Sequence, residues 1–323
     1  MNRHSSRLVG IGMLTVAAVI WGLAFAAQKS AMDYMGPFTC TSVRYLMGAA
    51  FLFLLTLARN ALMHRPLLPR ITRIEWLAGG VVGLCLFTAS SLQQVGIEGG
   101  DAGSAAFLTA LYIVIVPVLG VLLGRKPTLA VWSGIAVALV GAYLLTVVGS
   151  SSAADGVASL GGFFRAILTS RFRIATADAL VLACAVVFSL HILSIDRFSA
   201  KVDGLHLSML QFLVVGVLGF PIMLAAETPS LPAIADGIVP LLYLALGSCG
   251  IAYTLQVLGQ ARVEPALASV IMSLESVFGV LGGVILLGER MNAVEVVGCV
   301  LVFVAVLVAQ SDDILGSLRK RRK

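Results

Sequence analysis

Charge is what this sequence has least of: 12% of its 323 residues are Asp, Glu, Lys or Arg, about half the share usual in a soluble domain. Scarcity on that scale excludes a chain wetted on all sides. Histidine occurs at four positions, and the five cysteines form no Cys-x-x-Cys pair. With no His-x-x-x-His pattern either, the common transition-metal frameworks are missing, so neither metal ligands nor a cofactor is expected. No Gly-rich phosphate loop ending in Lys is present, which would leave any ATP-driven step to a separate subunit.

Hydrocarbon fills the space that charge leaves. Hydrophobic residues make up 59% of the chain and the mean hydropathy is +1.02. Apolar runs close to the ~20 residues that cross ~30 Å of bilayer core recur at 8–28, 39–58, 75–95, 101–123, 128–148, 177–195, 205–226, 237–258, 264–288 and 293–311. Ten spans and little else predict an all-α membrane protein with no soluble domain. Arg3 and Arg7 precede the first run as in a signal peptide, but the nine later spans favour an uncleaved first helix. Cys40, Cys85, Cys184, Cys249 and Cys299 all fall inside spans and are expected as small apolar fillers.

Basic residues set the orientation. With both termini cytoplasmic, Arg3, Arg7, Arg59, Arg65, Arg70, Arg73, Arg125, Lys126, Arg197, Lys201 and Arg262 lie inside with the tail Arg319 to Lys323, against Lys29, Arg165, Arg171, Arg173 and Arg290 outside. The tail suits anionic lipid at the cytoplasmic face, which accounts for the net charge of +6 without nucleic acid. Residues 149–176 read as an outer linker whose Phe163, Phe164, Ile167 and Leu168 fall at the spacing of a short interfacial helix.

The chain also repeats itself. "LQQVGIEGG" at 92–100 aligns with "LQVLGQARV" at 255–263, pairing Gln93 with Gln256 and Gly96 with Gly259. Further on, "LLGRK" at 122–126 aligns with "LLGER" at 286–290, and Gly134 with Gly298. Five spans per half is an odd number, so the second half enters the membrane with opposite polarity. Ten transmembrane helices in two inverted-topology five-helix repeats are therefore expected, with any substrate site near the midplane. The division is 1–148 for the first repeat, 149–176 for the linker, 177–311 for the second repeat and 312–323 for a basic cytoplasmic tail.

"WGLAFAAQKSA" at 21–31, "SVRYLMGA" at 42–49, "AAFLTALYIVIVPVLGVLLGRK" at 105–126, "DRFSAKVDGLHLSMLQF" at 196–212 and "SLESVFGVLGGVILLGERM" at 273–291 resemble the EamA-like permeases of the drug/metabolite transporter superfamily. The resemblance covers both halves. It implies a central cavity lined mainly by spans 1, 3, 4, 6, 8 and 9, and export of small metabolites across a bacterial inner membrane. The sequence departs from the family pattern at Ser276, where a proline usually follows the Leu-Glu pair of span 9. A proline kink is thus unsupported there, although Pro117 stands in span 4.

Glu275 is the residue that most needs explaining. A charge at the centre of a spanning helix costs about 2.5–3.5 kcal/mol on insertion scales, so this carboxylate must be answered by a cation, take up a proton, or face a polar cavity. Arg44, the basic residue well inside a span, is one candidate partner and His191 the next. A structural pair, a substrate contact and a proton-carrying role all remain open. Met272, Glu275, Gly279 and Gly282 share one helical stripe, and Ser269, Ser273 and Ser276 the adjacent one. In span 4, Thr109, Tyr112 and Val116 form the related stripe of the other half. Trp21, Gln28, Gln93, His191 and Gln256 complete the expected cavity. Lys29 fits an interfacial cation or a gate.

His191 and Asp196 have the spacing of some membrane acyltransferases, but on a continuous helix they diverge by about 140°, so an enzyme is not expected. The sequence points to a secondary transporter of amino-acid-like or other small amphiphilic metabolites, working by alternating access. Coupling to protons rests on Glu275 alone. A facilitative uniporter or channel on the same fold is the alternative. The expected partners are a small-molecule substrate and the bilayer, with the protein a monomer or a homodimer.

Overall fold

A computed structural model describes residues 3–99, 102–144, 176–287 and 293–311. The linker up to residue 175, Arg290 and the basic tail lie outside the described residues. The first half contains α1 (Arg3–Ala31), α2 (Pro37–Leu62), α3 (Arg73–Gly99), α4 (Ala102–Ala110), α5 (Tyr112–Leu122) and α6 (Leu129–Tyr143). The second contains α7 (Thr176–Ser199), α8 (Gly204–Ala226), the short α9 (Leu231–Asp236), α10 (Ile238–Leu242), a π-helix (Tyr243–Tyr253), α11 (Thr254–Gln260), α12 (Pro265–Met272), α13 (Leu274–Leu287) and α14 (Ala293–Ala309). Eight of the resulting spans are long and apolar enough to cross a membrane, and Leu129–Tyr143 and Val296–Ala309 add two shorter apolar helices. The protein is an all-α, multi-pass membrane protein of two five-span repeats.

The helix ends follow local chemistry. Pro37 opens α2 and Pro265 opens α12, positions where the missing N–H costs nothing. Thr128 caps α6 by accepting from Val131 N at 3.3 Å. Asp203 caps α8 by accepting from Leu205 N at 2.9 Å and His206 N at 3.3 Å. Lys29 closes the C-terminal end of α1 against α3, donating to the carbonyls of Ile97 at 3.0 Å and Glu98 at 3.2 Å.

Packing obeys an exchange of the two halves. α2 lies along α8 and α6 along α14, each helix against its own repeat counterpart. Other contacts come in matched sets: α3 on α7 answers the π-helix and α11 on α1, and α13 on α1 answers α5 on α7. Polar staples fasten the α2–α8 pair at both ends. Glu227 accepts from Phe38 N at 2.7 Å, Thr39 N at 2.8 Å and the Thr39 hydroxyl at 2.6 Å, satisfying the free N–H groups that begin α2. At the opposite end Arg59 bonds Asp203 at 2.8 Å.

Burial alone would raise the Asp203 carboxyl, but its hydrogen bond and attraction to Arg59 outweigh that and hold it below its usual range. A group depressed in the folded state stabilises above its ordinary range, and the gain is lost as pH falls through the folded value. Asp203→Asn should therefore melt below wild type at pH 7, and the gap should close as pH drops below about 4. A melting difference that stays constant from pH 7 to 3 would show that the staple contributes nothing.

Span 4, span 8 and span 9 are interrupted, which hydropathy does not announce. Span 4 breaks at Leu111, where Val114 N bonds Leu111 O at 3.0 Å in a tightened turn, and Pro117 in the following helix has no N–H to return to the carbonyl four residues back. Span 9 breaks at Ser273 without any proline. There the hydroxyl of Ser273 donates to Val270 O and that of Ser276 to Ser273 O, both at 2.8 Å, and such back-bonding bends helices. The two breaks fall at matching places in the repeats.

Candidate functional site

Both breaks open onto one cavity, of about 50 Å³, room for a few waters. α1 contributes Trp21, Ala24, Phe25 and Gln28 at helical spacing, and α2 adds Arg44 and Tyr45. Gln93 of α3, Thr109 of α4 and Tyr112 of α5 complete the first half's share. From the second half come Phe188 and Ile192 of α7, Ser248 and Tyr253 of the π-helix, Gln256 of α11, Met272 of α12 and Glu275 of α13.

Most of the residues singled out in the sequence thus stand together: Trp21, Gln28, Arg44, Gln93, Thr109, Tyr112, Gln256, Met272 and Glu275 all line this space. Glu275 is 4% exposed and its Oε1 accepts from the Tyr112 hydroxyl at 2.9 Å. Gln93 Nε2 donates to the Thr109 hydroxyl at 3.1 Å. On one side an aromatic group gathers, with Trp21 edge-on to Tyr253 at 4.8 Å between centroids, and Tyr45 and Phe212 packed about Tyr253. The predicted face of α13 abuts α1, because a Cβ built at Gly282 would meet Leu23 Cδ2 at 2.6 Å.

Two expectations are corrected. Arg44 and Glu275 do not pair. Arg44 Nη1 instead donates to Gln28 Oε1 at 2.9 Å, because α1 brings that amide alongside α2, while Glu275 is taken by Tyr112. His191 does not line the cavity either. Its Nε2 bonds Gln211 Oε1 at 2.9 Å, because Phe188 and Ile192 occupy the inward stripe of α7 and His191, one residue before Ile192, is turned about 100° away toward α8. Nor do His191 and Asp196 meet, since Asp196 pairs with Arg125 of the loop after α5.

The hydrogen-bond account of the cavity is incomplete in a specific way. Trp21 Nε1, Arg44 Nε and Gln256 Oε1 are buried with no partner, although buried polar groups normally find one. Among the described residues no group of three His, Cys, Asp or Glu could hold a metal.

A second cavity, of about 190 Å³, continues along α5 and α12 toward the basic end of the molecule. Val116, Pro117 and Gly120 form one wall and Pro265, Ala266 and Leu193 the other, with Arg125, Lys126 and Glu264 at its rim. It therefore lies further along the same two interrupted spans that frame the first cavity.

Tyr45, Ser248, Tyr253, Phe25 and Phe188 were not anticipated as wall residues. Aromatic residues within apolar spans read as core. Two signals could have found them: Tyr253 precedes Gln256 by three positions on one helical face, and Tyr45 adjoins Arg44.

The model of the EamA-like transporter family matches twice, over residues 8–147 and 175–310. An uncharacterized transporter of Archaeoglobus fulgidus is 27% identical over 299 residues, 91% of this chain and 83% of the relative. An uncharacterized transporter of Haemophilus influenzae is 31% identical over 114 residues, 35% of this chain and 67% of the relative. A protein of known crystal structure superposes with a TM-score of 0.71 at 21% identity, over 94% of this chain and 96% of its own; at that identity the likeness concerns the fold alone.

Proposed function

The chain belongs to the EamA-like transporter family and is a membrane transporter; from that premise we propose that it is a secondary carrier moving small amphiphilic, amino-acid-like metabolites out of the cell by alternating access. One observation carries this reading: spans 4 and 9 break at matching places in the two repeats and present Thr109, Tyr112, Met272 and Glu275 to a single cavity. Interrupted spans paired in this way characterise midplane substrate sites. The cavity's mixed lining suits an amphiphile, with Phe25, Phe188 and Ile192 beside Gln28, Gln93 and Gln256.

In the proposed cycle the repeats rock about the α2–α8 pair, which is stapled at both ends, while the broken spans rearrange. The second cavity is the approach from the cytoplasmic side, in keeping with the basic residues at its rim and a cytoplasmic location for both termini. A bacterial inner membrane is the proposed setting. Glu275 is the proposed proton carrier, because it is buried, faces the cavity and is bonded to no cation among the described residues.

Counterflow tests the carrier. Vesicles containing the protein and loaded with unlabelled substrate should transiently concentrate external labelled substrate, found by a screen of metabolites under an imposed pH gradient. Equilibration without any overshoot would indicate a channel and overturn the carrier.

A further inference from the structure

Resting on the carrier reading above, we propose that the Arg44 end of the central cavity is an anion subsite, and that the transported molecule is a small amphiphile bearing a carboxylate. Arg44 is 3% exposed and borders the cavity. A guanidinium carries five N–H donors. Here Nη1 is bonded to the neutral Gln28 amide, and Nε is buried with no partner.

The groups around Arg44 do not balance its charge. The ring of Tyr45 lies 5.0 Å from the guanidinium carbon, and Cys40, Cys249 and Tyr253 stand nearby. None of these is a carboxylate, and no carboxylate among the described residues pairs with Arg44. An uncompensated buried charge is normally paired or replaced, because removing it from water is costly. Retained beside a cavity, it marks a place where the counter-charge comes from outside the chain.

A second donor points the same way. Trp21 borders the same space, and its Nε1 is also buried without an acceptor. Glu275 does not supply the missing charge: it forms no ion pair with Arg44 and accepts instead from Tyr112 of the other repeat. Guanidinium matches carboxylate through paired parallel hydrogen bonds. The apolar walls from Phe25, Phe188 and Ile192 leave room for a hydrocarbon portion once the cavity widens. A cationic amphiphile would instead bring like charge against Arg44.

Three probes with one hydrocarbon skeleton test this at equilibrium, with no flux required: 3-phenylpropanoate, 3-phenylpropanamide and 3-phenylpropylamine, binding to the full chain in nanodiscs. The acid should bind about tenfold or more tighter than the amide, and the amine weakest. Arg44→Gln should abolish that preference, and Arg44→Lys, which keeps the charge and loses the planar fork, should reduce it. Gln28→Glu sets an internal carboxylate against Arg44 and should exclude the acid while the protein melts no lower than wild type. That variant keeps the test decisive if Arg44→Gln does not fold.

Equal or better binding of the amine overturns the proposal. So does acid binding that survives both Arg44→Gln and Gln28→Glu, or no acid binding at millimolar concentration. The outcomes separate from those of the carrier test: acid binding without counterflow removes the carrier and leaves the subsite, and counterflow of amines without acid binding does the reverse.

Discussion

Glu275→Gln protein reconstituted into vesicles is expected to lose about tenfold or more of the substrate accumulation driven by a pH gradient, while exchange of labelled for unlabelled substrate continues. The substitution keeps the size of the side chain and an oxygen that can accept from Tyr112, which now donates to Glu275 at 2.9 Å. It removes only the ability to take up and release a proton. If coupling runs through this group, net accumulation falls while exchange, which needs no net proton movement, is spared. A tenfold loss corresponds to ~1.4 kcal/mol, a modest demand on a carboxylate 4% exposed. Full pH-dependent accumulation in Glu275→Gln would remove the proton-carrying role and leave Glu275 as a fastening between α13 and α5.

The second large effect is expected at Gly22, where α1 and α13 come closest to the site. A Cβ added there would stand 2.5 Å from Phe278 Cβ, and 2.7 Å from both Glu275 O and Gly279 N. Contacts between carbon atoms settle near 3.5–4.0 Å. Two of the three obstructing atoms are backbone and cannot rotate aside, so the helices must separate. Overpacking typically costs about 1–3 kcal/mol, and Gly22→Val adds two further methyls beyond the Cβ. Separation would also carry Glu275 away from Tyr112. Gly22→Val should give little monodisperse protein, a lowered melting temperature and no transport. Gly12→Ala, in the same helix with nothing within 4 Å of the added atom, should behave as wild type. A Gly22→Val protein as stable and active as Gly12→Ala would show that the close approach is not required.

Spans were legible in the sequence because a bilayer demands long apolar runs, and the paired halves because Gln93/Gln256, Gly96/Gly259 and Gly134/Gly298 recur at a nearly constant offset. Many of the cavity residues were legible too, since a polar side chain within an apolar helix has few places to go other than inward. The interruptions were not. Ser273 ends α12 through hydroxyl-to-carbonyl bonds within its own turn, the same chemistry that serines deploy harmlessly in many helices. The π-helix left no periodic trace, and neither did the partner of Arg44. Choosing Gln28 over Glu275 depended on which side chains α1 and α2 turn toward each other. His191 misled because its rarity drew attention, whereas its position one residue off the Phe188–Ile192 stripe determined where it points.

The exchange relation between the halves has an energetic consequence. If opening one face breaks contacts of the kind α13 makes with α1, opening the other breaks those α5 makes with α7. Each endpoint is then assembled from nearly the same inventory of packing, so neither is a deep trap. Because α2 against α8 and α6 against α14 map onto themselves, they contribute equally to both endpoints and cancel from the difference. A modest differential affinity, or one proton bound on one side only, is then sufficient to tip the balance between them.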